Sequence, residues 1–212
     1  MKILIPEDIS DITLGKYQRY IKLSERTDLD ELNFNKRIIE IFCGVSFKDT
    51  DKIPAKDYLD IIQMVHTAIN KDSEFVNRFE MNGVEFGMIP NFDNITFDEY
   101  IDLSNYGQEL YVDDEVNKIN VESLHKLMAV LFRPITTKDA FGNYSIVNYN
   151  GTKDYAEVMR NMPMNVVNGS IVFFCNLSRE LREHIQKSTE AEELKRVQKQ
   201  ATTLVNGIGT QH

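Results

Sequence analysis

"FVNRFEMNGVEFGMI" (residues 75–89) alternates around Asn82-Gly83. An Asn-Gly pair supplies the two positive φ angles of a tight hairpin turn. The stretch therefore predicts strands at about 75–81 and 84–89, ended by Pro90. The segments on either side carry helical spacing, so this hairpin decides the class: mainly α with two small β-hairpins (α+β).

Upstream, residues 2–5 (KILI) read as a short strand. Thr13 reads as the N-cap of a short helix that carries Tyr17, Tyr20, Ile21 and Leu23. Residues 35–45 (NKRIIEIFCGV) read as a mostly buried helix ended by Gly44. Pro54 suits the first turn of "PAKDYLDIIQMVHTAIN", whose Tyr58, Ile61, Ile62, Val65 and Ile69 keep helical spacing.

Downstream, "NITFDEYIDL" (94–103) opens another helix. Thr96 and Glu99 have the spacing of a capping box, in which each side chain bonds the other's backbone N–H. Ile95 and Tyr100 occupy the two positions of a hydrophobic staple. The earlier "DITLGKYQRY" (11–20) repeats the staple pair as Ile12 and Tyr17, but Lys16 replaces the glutamate. The order that follows also repeats. "IIEIFCGV" (38–45) and "KDYLDIIQM" (56–64) are answered by "HKLMAVLFRPI" (125–135) and "KDYAEVMRNM" (153–162). The second copy holds an insertion, "TTKDAFGNYSIVNY", which reads as a hairpin turning at Gly142-Asn143.

The expected organisation is one globular domain over residues 1–176. It consists of two pseudo-repeats of three helices, about 5–70 and 91–165, joined by the hairpin at about 75–89 and sharing one core. "MNVVNGSIVFFCNL" reads as a buried helix. Residues 177–212 read as an amphipathic helix with a flexible tail. Leu181, Ile185, Leu194 and Val197 lie on the apolar stripe of that helix and are the candidate partner-binding residues. Ile12, Tyr17, Ile95, Thr96, Glu99 and Tyr100 are the candidate caps and staples.

The totals exclude several function classes. A net charge of −9 over 212 residues opposes nucleic-acid binding, which needs a basic surface. No apolar stretch is long enough to span a membrane, and the N-terminus lacks the pattern of a signal peptide. Cys43 and Cys175 sit in apolar contexts and read as buried, reduced thiols. His66 and His125 have no second ligand at i+3 or i+4, so each reads as a partly buried or surface histidine. The acidic run at 113–115 lacks the spacing of a calcium loop and reads as a solvated turn. No carboxylate pair or nucleotide-binding motif stands out. The expectation is a non-enzymatic protein without cofactor or metal, with a small hydrolase as a distant option.

The phrases "IPEDISDITLGKYQRY", "FEMNGVEFGMIPNFDNITFDEYIDL", "LMAVLFRPI" and "YNGTKDYAEVMRNMPMNVVNGSIVFF" occur in this order. The chain, over roughly residues 5–177, resembles small virion morphogenesis proteins of tailed bacteriophages of Bacteroidota, including the crAss-like group. The resemblance implies a structural component of the neck, tail or cargo region, acting through protein–protein contacts in the virion or the host cytoplasm. It equally implies, as the alternative, a tail assembly chaperone that holds the tape measure or another tail protein transiently. The partners would be other phage structural or tail proteins, with a homo-oligomer as a further expectation.

Overall fold

The computed structural model describes residues 2–113, 118–174 and 176. The chain divides into two compact units, Met1–Ser170 and Ile171–His212. Of the second unit, residues 171–174 and 176 are described, and they are helical.

The first unit begins with residues 2–5 outside any strand. The expected strand there is corrected to irregular chain: Leu4 faces solvent, and among the described residues no strand pairs with the segment. Helix α1 (Leu14–Ser24) starts at Thr13, whose Oγ1 accepts from the Lys16 N–H at 3.4 Å. Helix α2 (Glu31–Cys43) starts earlier than expected, because Asp30 caps it by accepting from the Asn33 N–H at 2.7 Å. It ends at Gly44, which holds a left-handed φ of 71°. Helix α3 (Ala55–Ile69) follows Pro54 and buries Ile61, Val65 and Ala68.

Strands β1 (Arg78–Met81) and β2 (Val84–Met88) form the first hairpin, with Met81 opposite Val84. Asn82 (φ 53°) and Gly83 (φ 74°) both adopt the positive angles that the turn requires. Helix α4 (Phe97–Glu109) comes next, followed by the short strands β3 (Tyr111–Asp113) and β4 (Lys118–Ile119), which pair with each other. The solvated turn expected at 113–115 therefore begins within a strand.

Helix α5 (Leu124–Leu131) is buried on all sides except at Lys126 and forms the centre of the core. It gives way directly to β5 (Phe132–Lys138), so the helix expected to reach residue 135 stops at Leu131. Pro134 accounts for the change, because proline disfavours helical backbone at the residue before it and removes a helix donor. Strand β6 (Tyr144–Ile146) closes the second hairpin, whose turn is held by Asp139 accepting from the Phe141 and Asn143 N–H groups at 2.9 Å. The two hairpins are not separate. β2 pairs with β5, placing Met88 opposite Phe132, and the result is one antiparallel sheet in the order β1-β2-β5-β6.

Helix α6 (Ala156–Met159) is a single turn, much shorter than its expected counterpart α3. Pro163 follows it closely, and residues 164–170 are helical and bury Met164, Val166, Val167 and Ser170. In both halves consecutive helices pack together, α1 on α2 on α3 and α4 on α5 on α6.

Aromatic rings pack across the strands of the sheet. Phe79 stacks on Phe86 at 5.4 Å and meets Phe132 edge-on at 5.5 Å. Gly87 leaves room for the ring of Tyr144, which a Cβ there would approach to 2.4 Å. The Tyr144 hydroxyl then donates to the Met88 carbonyl at 2.9 Å.

Candidate functional site

The start of α4 combines a buried charge with an exposed apolar face. The capping box forms in full: Thr96 Oγ1 accepts from the Glu99 N–H at 3.2 Å, and Glu99 Oε2 accepts from the Thr96 N–H at 2.7 Å. The second oxygen of Glu99 points inward, where it accepts from Arg133 at 2.6 Å. Arg133 also donates to the Val130 carbonyl at 3.2 Å, and its guanidinium lies 5.3 Å from the ring centre of Tyr149. The Tyr149 hydroxyl bonds Asp102, one turn further along α4. Burial pushes the Glu99 pKa up, but the Thr96 N–H and Arg133 outweigh it, and the net shift is downward. Burial and then Asp102 push the Tyr149 hydroxyl upward, so it stays protonated.

With Glu99 turned inward, the outer face of α4 carries Phe97 (74% exposed), Tyr100 (54%) and Ile101. These are neighbours at i, i+3 and i+4, and together they form an apolar stripe in solvent. Ile95 is half-buried, so the Ile95–Tyr100 staple positions leave most of the tyrosine ring outside. Phe141, at the tip of the β5–β6 turn, is 92% exposed.

A second buried polar network joins the two halves. Gln18 of α1 donates to the Val121 carbonyl at 2.7 Å and the Glu122 carbonyl at 3.1 Å. Its oxygen accepts from Arg160 at 2.6 Å. Arg160 also lies 3.0 Å from His125 Nε2 and donates to Glu157 at 2.8 Å. A guanidinium can only donate, so His125 Nε2 accepts from Arg160, while the Gln18 amide nitrogen lies 3.3 Å from the other ring nitrogen. Burial, then the charge of Arg160, lower the His125 pKa against the opposing pull of Glu157.

The third feature is an open groove of about 530 Å³ between α1 and α2. Leu23 and Ile41 form its floor, and Arg19, Lys22, Arg26, Arg37 and Glu40 line its walls. Lys22 pairs with Glu122 at 2.7 Å, Arg26 with Asp28 at 2.6 Å and Arg37 with Glu40 at 2.6 Å. Arg37 also lies over the Phe47 ring at 4.3 Å.

The structure brings Ile95, Thr96, Glu99 and Tyr100 together at the start of α4. Ile12 is fully buried and Tyr17 half-buried at the start of α1. There Lys16, which breaks the capping box, instead donates to the Phe42 carbonyl at 2.9 Å and so caps the C-terminal end of α2. Leu181, Ile185, Leu194 and Val197, and also Cys175 and most of the expected C-terminal helix, lie outside the described residues. Cys43 is half-buried, and burial pushes its thiol pKa up to about 11, away from reactivity. His66 is half-buried. Among the described residues no helix is long and apolar enough to cross a membrane.

Sequence reasoning missed the groove. Its signal was the i, i+3 spacing of Arg19 and Lys22 on one face of α1, with Arg26 just past the helix end. Compared with protein-family models, curated proteins and solved structures, the chain matches none.

Proposed function

We propose that this protein is a non-enzymatic structural protein of a tailed bacteriophage, a component of the neck, tail or cargo region that acts through protein–protein contacts. The observation that carries the protein-binding part is the apolar stripe Phe97–Tyr100–Ile101 on α4, set on a helix whose start is fixed by a buried ion pair. A rigid element with exposed aromatic anchors is what an interface hot spot needs. Among the described residues the buried ionisable groups Glu99, Arg133 and His125 are each bonded within the fold. The phage assignment rests on the order of sequence phrases in residues 5–177. A degenerate duplication of a three-helix unit is part of the same reading, supported by the shared packing order of the helices.

The second reading, a tail assembly chaperone, is favoured by the same exposed aromatics joined to a net charge of −9, which keeps a holding protein soluble. Quantitative mass spectrometry of purified particles, with the infected lysate as control, separates the two. A fixed ratio to a known structural protein supports the virion component. Abundance in lysate with absence from particles supports the chaperone. Replacement of Phe97 and Tyr100 by Ser is expected to abolish partner association while leaving the melting temperature near that of the parent chain.

A further inference from the structure

The groove between α1 and α2 is a concentration of positive charge on a chain whose net charge is −9. We propose that it docks an acidic segment of a partner protein, one that carries apolar side chains between its carboxylates. The inference rests on the protein-binding role above and adds the chemistry of the partner.

Three observations select this occupant. First, the walls supply four cations, Arg19, Lys22, Arg26 and Arg37, against the single carboxylate of Glu40. The carboxylates that now pair with Lys22 and Arg26 are themselves exposed. Exposed pairs of this kind are weak and exchange readily for an incoming carboxylate. The Arg19 side chain makes no hydrogen bond or ion pair among the described residues.

Second, the floor is apolar. Leu23 and Ile41 are almost covered by their own helices but still line the groove, so an entering apolar side chain meets hydrocarbon beneath the charges. A phosphate backbone has nothing to place there.

Third, the attraction is local. Screening limits it to about 8 Å at physiological salt. A short segment seated in the groove feels mainly these cations. A long nucleic acid extends past them, over a surface whose total charge repels it.

The test titrates the full chain by fluorescence anisotropy with a labelled short peptide of alternating Glu and Leu pairs. The comparison probes are the same peptide with Lys for Glu, a glutamate peptide without Leu, and oligothymidylate of equal length. The Glu/Leu peptide is expected to bind tightest, and to weaken as salt rises. Arg19→Glu with Arg26→Glu is expected to weaken it by about tenfold or more. Arg19→Gln with Arg26→Gln should weaken it less, and serves if the charge-reversed chain melts early. Equal binding of the Glu and Lys peptides, tighter binding of oligothymidylate, or an affinity unmoved by both double substitutions overturns the proposal. Particle mass spectrometry answers separately: peptide binding by a chain absent from particles keeps the groove and removes the virion role.

Discussion

Arg133 donates to Glu99 at 2.6 Å, with only 5% of the arginine and 4% of the glutamate exposed. The pair joins the first turn of α4 to the start of strand β5, and so ties the second helical set to the sheet. Removing one member leaves the other charged in a dry site, which costs about 3–5 kcal/mol. Glu99→Ala is therefore expected to be far more damaging than Thr96→Ala, which deletes only a cap worth about 1 kcal/mol. Urea denaturation of the two variants checks the ranking. Equal losses would mean that the glutamate acts as a cap alone.

Tyr149 closes the same network from outside. Tyr149→Phe keeps the ring over Arg133 and removes the bond to Asp102, so it is expected to cost about 1 kcal/mol, as for a single hydrogen bond. Tyr149→Ala removes both and should cost more. Thermal melts of the two variants give the comparison.

His125 sets a pH dependence. Its folded pKa lies below the ordinary value of 6.5, so the unfolded chain takes up a proton that the folded chain refuses. Stability from this group is complete above pH 6.5 and declines as pH falls towards the folded value. The melting temperature of the parent chain should therefore fall on acidification below pH 6.5, and His125→Gln should flatten that part of the curve. Glu99 adds a second loss in more acid solution, below its ordinary value of 4.5. An unchanged slope in the His125→Gln chain would assign the first decline to other groups.

Gly169 lies where two backbones meet. A Cβ at this position would come within 2.8 Å of the Glu74 oxygen and of the Phe75 Cα. Alanine favours a helix over glycine by about 1 kcal/mol, but overpacking against backbone costs about 1–3 kcal/mol. Gly169→Ala is expected to lower stability despite its better helix propensity. A denaturation midpoint at or above that of the parent chain would show that the 74–75 segment can move aside.

Much of the fold was legible because local chemistry decided it. Asn82-Gly83 specified a hairpin, Thr96 with Glu99 a helix start, and Gly44 a helix end, each within a few residues. What escaped depended on distant partners. The β2–β5 pairing that merges the hairpins involves strands far apart in the chain, and no local pattern announces it. The second role of Glu99 was hidden for the same reason, since Arg133 approaches from another element. The groove was hidden because its cations come from three places, Arg19 and Lys22 on α1, Arg26 past its end and Arg37 on α2.

The first N–H groups of α1 are met by the far end of the first unit. Leu14 donates to the Met162 carbonyl at 2.9 Å, Gly15 donates to that of Arg160 at 2.7 Å, and Met164 returns a bond to Ile12 at 2.8 Å. Gly15 stands where its earlier-noted counterpart motif has Asp98, and a Cβ there would sit 3.0 Å from the Arg160 oxygen. During synthesis, then, α1 emerges well before the residues that complete its start. Until these residues have emerged, the Leu14 and Gly15 N–H groups lack their acceptors, and a chain stopped short of Arg160 would keep them exposed. The first unit closes like a clasp whose two halves are made about 150 residues apart.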